Sequence, residues 1–397
     1  MKSIDQAPLA DKKVLVRVDY NVPQNEQLQV TSTTRIKRTV ETVNKITNSG
    51  GIAILMSHLG RPKGEVNDTF SLRHIVSAVC ETLGKPVVFL GDVLDPEVKS
   101  KINALNPGDV ALLENLRFHK EEEKGDLEFA KAIAQLGDLY VNDAFGAAHR
   151  EHASTATIAR LFPNNAYAGY LLYSEVQSLK KVMEERKSPF TAIIGGAKVS
   201  TKINILKNLV EKVDNLIVGG GMSYTFLSAL GFTHGNSLFE EEMVPVAKEI
   251  LEQAKIKGIN IYLPVDHLCA DQFVEDANMQ PVNGQNIPNQ WIGMDIGAQT
   301  IALFKKVILD SKTILWNGPV GVFEMDKFVA GTKAVAEAIA ESTKNGAYSL
   351  IGGGDSIAAL SKFGLSKEVS YSSTGGGAML EYLEGIELPG IKALEEN

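Results

Sequence analysis

Short apolar runs alternate with amphipathic stretches along this chain, and the alternation occurs twice. In the first half, residues 14–18 (VLVRV), 52–56 (IAILM), 87–90 (VVFL), 110–113 (VALL) and 139–142 (LYVN) read as buried strands. Between them, residues 33–48, 71–83 and 126–136 carry helical spacing. In the first of these, Ile36, Val40, Val43 and Ile46 step by three or four, giving one apolar face. Gly50 and Gly84 stand where helix C-terminal glycines belong. The pattern restarts with strands at 191–194, 215–218, 260–263, 313–316 and 347–351, and with helices over 198–213, 241–257 and 327–343. Strand–helix alternation of this kind makes βαβ units and a mainly parallel sheet. Two α/β halves of similar size are expected. The polar, helical stretch 170–187, closed by Pro189, reads as the helix joining them, and 378–397 as a short helix plus tail. Two open α/β domains joined by one helix make a cleft, and ligands of such sheets sit at the carboxyl ends of the strands.

Composition narrows the functional classes. A chain of 397 residues, 44% hydrophobic and 22% charged, is an ordinary soluble globular protein of two or three domains. Forty Lys+Arg against 48 Asp+Glu leave a net charge of −8, whereas general nucleic-acid and membrane-surface binders are basic. Cys80 and Cys269 lie far apart and form neither CxxC nor zinc spacing, so they read as core filler in a reducing cytoplasm. No apolar stretch is long enough to span a membrane, and MKSIDQAPLADKK contains no apolar core of a secretory signal. A cytoplasmic location is therefore expected.

In the first half the strand ends are polar and basic. Strand one runs VLVRVDYNVP, with Asp19 and Asn21 on one face and Arg17 on the same face if the strand stays regular that far. Strand two ends in SHLGRP with His58 and Arg61, strand four in ENLRFH with Arg117 and His119, and strand five in NDAFGAAHREH with Asp143, His149, Arg150 and His152. Arg35 begins the first helix. Arginine forks match carboxylate and phosphate oxygens two at a time, so Arg35, Arg61, Arg117 and Arg150 imply a small polyanion. Taken singly, each arginine reads better as a surface ion pair, and it is the four together, at equivalent strand or helix ends, that favour an anion site. His149 and His152 have i,i+3 spacing that suits a metal, but no third ligand is evident, so hydrogen-bonded histidines are expected. Asp143 is expected to cap a helix or to pair with an arginine. His74 and His119 carry no expected role.

In the second half the strand ends are rich in glycine: IIGGAKVSTK, IVGGGMSYTF, LWNGPVGVFE, IGGGDSIAAL and YSSTGGGAML. Glycine lets the backbone approach a ligand and turn its N–H groups toward phosphate. Lys198 and Lys202 are expected i,i+4 on one face of a helix, in its N-terminal turn. Asp355 either holds a phosphate-bound Mg²⁺ or caps a helix, and spacing does not choose. Glu324 is a candidate acceptor for ribose hydroxyls. There is no GxxxxGK[ST] loop and no complete GxGxxG after a strand, which argues against a dinucleotide oxidoreductase. An arginine-rich cup in one half and a glycine bed in the other point to phosphoryl transfer, which needs positioning and charge neutralisation.

These motifs, in this order, resemble those of phosphoglycerate kinases along essentially the whole chain: LVRVDYNVP, SHLGRP, LLENLRFH, NDAFGAAHR, GGAKVSTKI, GGGMSYTFL, LWNGPVGVFE, GGGDS and STGGGA. The resemblance implies two Rossmann-like parallel-sheet domains joined by a helix, with a cleft and hinge between them. These would be a 3-phosphoglycerate-binding domain over 1–169, a connecting helix over 170–187 and a nucleotide-binding domain over 188–377, with 378–397 returning to the first domain. It implies the reaction of 1,3-bisphosphoglycerate with MgADP giving 3-phosphoglycerate and MgATP, in a monomer without nucleic-acid or membrane partners.

The resemblance also implies roles for individual residues. Asp19 and Asn21 would hold the glycerate end, with Arg35 at the reacting carboxyl. His58, Arg61, Arg117 and Arg150 would grip the substrate, mostly at its non-transferred phosphate. Lys198 and Lys202 would contact the transferring group and the nucleotide, and Glu324 the ribose. Gly353, Gly354, Asp355 and Ser356, with Asn317, would hold nucleotide phosphates, Asp355 through Mg²⁺. Gly375 and Gly376 would supply backbone donors for the transition state. Ser356 departs from the family's usual Thr but keeps the hydroxyl. A sensor that kept the fold but lost the chemistry would not need both charge sets.

Overall fold

The computed structural model describes residues 1–397, which group into two compact units: Met1–Gln177 with Glu387–Asn397, and Ser178–Ile386. The first unit begins with β1 (Lys13–Val18), α1 (Thr34–Lys37), α2 (Val40–Asn48), β2 (Ile52–Met56), α3 (Val76–Leu83), β3 (Val87–Gly91) and α4 (Val98–Asn103). It continues with β4 (Val110–Leu113), α5 (Lys120–Glu123), α6 (Leu127–Ala134), β5 (Leu139–Asp143) and β6 (Ala166–Ala168). Its six strands form one parallel sheet, ordered β3-β4-β2-β1-β5-β6. Leu15 pairs with Ile54 on one side and Tyr140 on the other. Every residue of β2, β4 and β5 is buried, as expected for parallel strands covered by helices on both faces.

Helix α7 (Tyr170–Met183) runs from the first unit into the second. The second unit then holds β7 (Phe190–Ile194), α8 (Ile203–Leu209), β8 (Asn215–Val218), α9 (Met222–Ala229), α10 (Val244–Lys257) and β9 (Asn260–Tyr262). Next come β10 (Asp266–Ala270), β11 (Met279–Asn283), β12 (Ile292–Ile296), α11 (Ala298–Asp310), β13 (Thr313–Asn317) and α12 (Ala330–Lys344). It closes with β14 (Tyr348–Gly352), α13 (Gly354–Lys362), β15 (Tyr371–Ser372) and α14 (Gly377–Leu383). Its main sheet is parallel, ordered β15-β14-β13-β7-β8-β9, and a three-stranded antiparallel sheet is ordered β11-β10-β12. Trp316, fully buried on β13, packs in its core with Ile193, Ile217 and Ile351. Helix α15 (Pro389–Glu395) belongs to the first unit, where the Gly390 N–H donates to the Ala148 carbonyl (2.8 Å).

The ten expected strands are all present, within a residue or two of their expected ends. Gly84 and Gly50 adopt the left-handed conformation, with φ of 65° and 79°. Three helices differ from expectation. The stretch 33–48 breaks into α1 and α2, because the Thr39 hydroxyl donates to the Ile36 carbonyl and meets the Tyr20 hydroxyl (both 2.9 Å). The joining helix stops at Met183, four residues early, where Thr313 Oγ1 takes over the Lys187 N–H (2.9 Å). The stretch 198–213 is helical only over Ile203–Leu209. The antiparallel sheet, α9, α11 and β6 were not foreseen. Strand β11 is exposed at four of five positions and contains Pro281, so it has no apolar alternation to read.

Candidate functional site

Each unit carries a polar site at the carboxyl ends of its strands. In the first unit, β1 ends at Val18, and Asp19 forms an ion pair with Arg35 of α1. Asn21 Oδ1 accepts the Gly60 N–H (2.8 Å), and Arg117 donates to the Gly60 carbonyl (3.2 Å). Arg117 Nε lies 3.4 Å from Glu123. His58 is buried, and its ring Nδ1 is 3.1 Å from the Arg17 guanidinium. Burial pushes the His58 imidazole well below its ordinary pKa, and Arg17, Arg117, Arg35 and His152 add repulsion. The structure thus gathers Asp19, Asn21, Arg35, His58 and Arg117. Arg150 follows the same strand-end segment. Its carbonyl accepts the Thr155 hydroxyl (2.9 Å) and its side chain is exposed. Its charge reaches His152, whose pKa falls to about 4 through burial and then Arg17, Arg117, Arg150 and His149. Arg61 is exposed beside Gly60.

Arg17 does not share the partly exposed face of Asp19 and Asn21. It is fully buried and donates to Ser154 Oγ (2.7 Å) and the Val18 carbonyl. Asp143 takes the capping role, with Oδ1 accepting the Leu171 N–H (2.9 Å) and Leu172 N–H (3.2 Å) at the start of α7. His119 Nε2 pairs with Asp92 (2.8 Å).

In the second unit, Lys198 and Lys202 do not stack on one helix face. Residues 198–202 form a turn, closed by the Lys202 N–H on the Val199 carbonyl (2.9 Å), and α8 begins only after Lys202. A long-range bond competes with the helix there: Ser200 donates through N–H and hydroxyl to Glu240, 40 residues away (3.2 and 2.5 Å). Lys198 is exposed. Lys202 Nζ turns back to the strand ends and donates to the carbonyls of Gly195 (2.6 Å) and Asn317 (3.0 Å). Burial pulls its pKa down to about 8, against the pull of Asp355. A Cβ on Gly318, whose φ is 98°, would lie 2.6 Å from Lys202 Nζ. Glycine there is what lets the ammonium in.

A cavity of about 240 Å³ lies within this unit, with Gly196, Gly220, Leu238, Phe273, Met294 and Val320 along its apolar walls. Glu324 and Asp355 line its polar side. Gly353 (φ 88°) precedes α13, and no side chain caps that helix. Asp355 in its first turn is exposed and makes no capping bond, leaving the helix N-terminus open to an anion. One carboxylate suits Mg²⁺ that arrives on a nucleotide, because Mg²⁺ is commonly held by one or two carboxylates plus phosphates.

Three other expected residues point inward. Asn317 is buried and donates to the Gly352 carbonyl (3.0 Å). Ser356 is fully buried and its hydroxyl accepts the Gly318 N–H (2.7 Å). The Gly375 N–H donates to Ser373 Oγ (3.2 Å), whereas Gly376 (φ 51°) stands exposed before α14.

Sequence reasoning passed over Asn115, within ENLRFH. Its Nδ2 donates to the Leu59 and Phe70 carbonyls (2.7 and 2.8 Å), and its Oδ1 accepts the Arg117 N–H (3.0 Å). It fastens the His58 segment to the Arg117 segment. The only available signal was an Asn just before a turn.

The phosphoglycerate kinase family model matches residues 4–386. A phosphoglycerate kinase from Porphyromonas gingivalis is 49% identical over 417 aligned positions, covering 99% of this chain and all of the relative. One from a Synechococcus strain is 48% identical, covering 100% of this chain and 98% of the relative. The solved phosphoglycerate kinase of Coxiella burnetii superposes with a TM-score of 0.92 at 42% identity, covering 99% of this chain and 98% of that one. Gathered basic strand ends, a glycine-lined cavity and full-length similarity lead to one conclusion: this chain belongs to the phosphoglycerate kinase family.

Proposed function

We propose a division of labour between the two units in the family's reaction. The reaction is phosphoryl transfer between 1,3-bisphosphoglycerate and ADP, giving 3-phosphoglycerate and ATP, a kinase step of glycolysis with a carboxyl group as acceptor. In our reading, Asp19, Asn21, Arg35, His58, Arg61, Arg117 and Arg150 of the first unit hold the phosphoglycerate. Lys198, Lys202, Asn317, Glu324, Gly353, Gly354, Asp355 and Ser356 of the second form the nucleotide site, Asn317 and Ser356 from behind its backbone. Gly375 and Gly376 lie beside the transferring group, with Gly376 offering the free N–H. The observation that carries this reading is the basic cluster around His58, matched in the second unit by a glycine-lined cavity whose polar side bears Glu324 and Asp355.

The 3-phosphoglycerate carboxylate is already a nucleophile, so no general base is needed. Arg35 and Lys198 neutralise charge on the transferring group, as phosphoryl transfer demands. Lys202 supplies a second cation, anchored to backbone carbonyls rather than to a carboxylate. Mg²⁺, carried on the nucleotide and met by Asp355, supplies charge neutralisation on the phosphates. The reading includes closure of the units around the reactants to exclude water. It also includes a cytoplasmic monomer. No helix is long and apolar enough to cross a membrane.

The test mixes the protein with MgATP, 3-phosphoglycerate and hydroxylamine, which traps acyl phosphate. Hydroxamate formation that requires both the acid and Mg²⁺ supports the reading. ADP release without the acid would point to hydrolysis instead.

A further inference from the structure

Beneath the first unit's basic cluster lies a buried polar chain that the proposed reaction does not use directly. Glu122 is fully buried, and its carboxylate accepts both the Ser154 N–H (3.0 Å) and the Ser154 hydroxyl (2.6 Å). Ser154 Oγ in turn accepts from Arg17 Nε (2.7 Å), and Arg17 Nη2 meets His58 Nδ1 (3.1 Å). All four residues are buried, with Arg17, Glu122 and Ser154 fully so. A buried arginine with no direct carboxylate partner is costly, so its geometry is tightly specified by those acceptors.

The direction of the last bond follows from chemistry. A guanidinium is always protonated and has only donors. His58 Nδ1 must therefore accept, which leaves the proton of the neutral ring on Nε2. Nε2 has no partner within the protein and is not among its sealed, unsatisfied atoms. The groups facing the ring are Arg17 from β1, Arg35 from α1, Arg117 from the segment after β4 and His152 from the segment after β5. All four disfavour a second proton, and no carboxylate is bonded to His58 to offset them.

We infer that Glu122, Ser154 and Arg17 are positioning residues that lock His58 as a neutral Nε2–H donor toward the anionic 3-phosphoglycerate. His58 then contributes direction rather than charge, and the arginines carry the charge. The donor role rests on placing His58 in the 3-phosphoglycerate site. The tautomer itself rests only on the buried chain.

The experiment is imidazole nitrogen NMR on the full-length protein, with His58 assigned by loss of its signals in His58→Gln. Nε2 protonated and Nδ1 unprotonated, unchanged from about pH 5.5 to about pH 8.5, is expected, since an ordinary histidine titrates within that range. A His58 that titrates there, or that carries its proton on Nδ1, overturns the lock. The Nε2–H signal moves when 3-phosphoglycerate is added. A locked ring blind to 3-phosphoglycerate removes His58 from the substrate site and with it the donor role, which separates the two failures. Ser154→Ala removes the middle bond. It is expected to raise the KM for 3-phosphoglycerate roughly tenfold, the scale of one charged hydrogen bond, with little change in the KM for ATP. The His58 nitrogen signals of this variant also show a mixture of Nδ1–H and Nε2–H tautomers, which a merely structural loss would not produce. A Ser154→Ala enzyme with unchanged KM and a still-locked His58 strikes Ser154 and Glu122 from the chain.

Discussion

Lys202 bonds only to two backbone carbonyls, and burial has lowered its pKa to about 8. Bound phosphates favour the charged form, so nucleotide binding takes up a proton above that value. The KM for ATP should therefore climb as pH rises past about 8. Lys202→Arg, which keeps its charge at every such pH, should flatten the climb even if its absolute KM is poorer. A flat wild-type profile between about pH 7 and about pH 10 would show that Lys202 is not the titrating group. Arg35 is paired with Asp19 but half-exposed, placed to leave its partner for a ligand. Arg35→Ala should lower kcat by at least ~10²-fold, the loss typical of a transition-state donor. Near-normal kcat removes it from that role. Arg150→Ala should chiefly raise the KM for 3-phosphoglycerate with kcat nearly kept, as lost ground-state binding does. An unchanged KM assigns Arg150 to the backbone turn that Thr155 caps.

At the scale of elements, Asp143 ends β5 and caps α7, so one carboxylate joins the sheet of the first unit to the helix leaving it. It is fully buried, and burial lifts its pKa to about 7 from 3.8. The folded state therefore holds this proton more tightly than the unfolded chain does. The contribution to stability is complete below the unfolded value and is lost as pH rises through about 7. Asp143→Asn keeps the accepting Oδ1 and cannot ionise. Its stability relative to the parent should rise between about pH 5 and about pH 8, by about 3 kcal/mol. Urea unfolding of both proteins at the two pH values measures this, and a constant difference would refute it. Thr332 plays a comparable joining part in the second unit. At the start of α12 its hydroxyl accepts the N–H groups of Val320 and Gly321 (3.2 and 3.3 Å), holding the loop that lines the cavity.

Over the whole molecule, the chain passes from the first unit to the second through α7 and returns after Ile386, so the first turn of α15 docks on the segment before Arg150. The division of ligands between units has a direct readout in hydrogen exchange. 3-Phosphoglycerate alone should protect 57–61 and 115–119 in the first unit. MgADP alone should protect 195–202, 318–324 and 353–356 in the second. MgADP protecting the first set would overturn the assignment of sites. Each ligand should also raise the unfolding temperature, by the mass-action stabilisation its affinity allows.

The strands and the motifs at their ends were legible because both are local. A continuous apolar run such as IAILM announces a strand covered on both faces, and a glycine cluster after it announces a turn where backbone comes close to a ligand. Arg35, His58, Arg117 and Asp355 could be placed at strand or helix ends from the sequence because neighbours in the chain put them there. What each polar side chain does at its place depended on partners far away in sequence. Arg17 turns inward because Ser154, 137 residues later, offers it an acceptor beside a buried Glu122. Ser356 is taken by Gly318, 38 residues before it, and Lys202 by Asn317, 115 residues after it. Helical periodicity over 198–213 yielded to the Ser200–Glu240 bond, which no local pattern contains. Burial makes an unpaired polar group expensive, so these long-range pairings decide which charged groups stay free for the substrate, and only the folded chain brings the partners together.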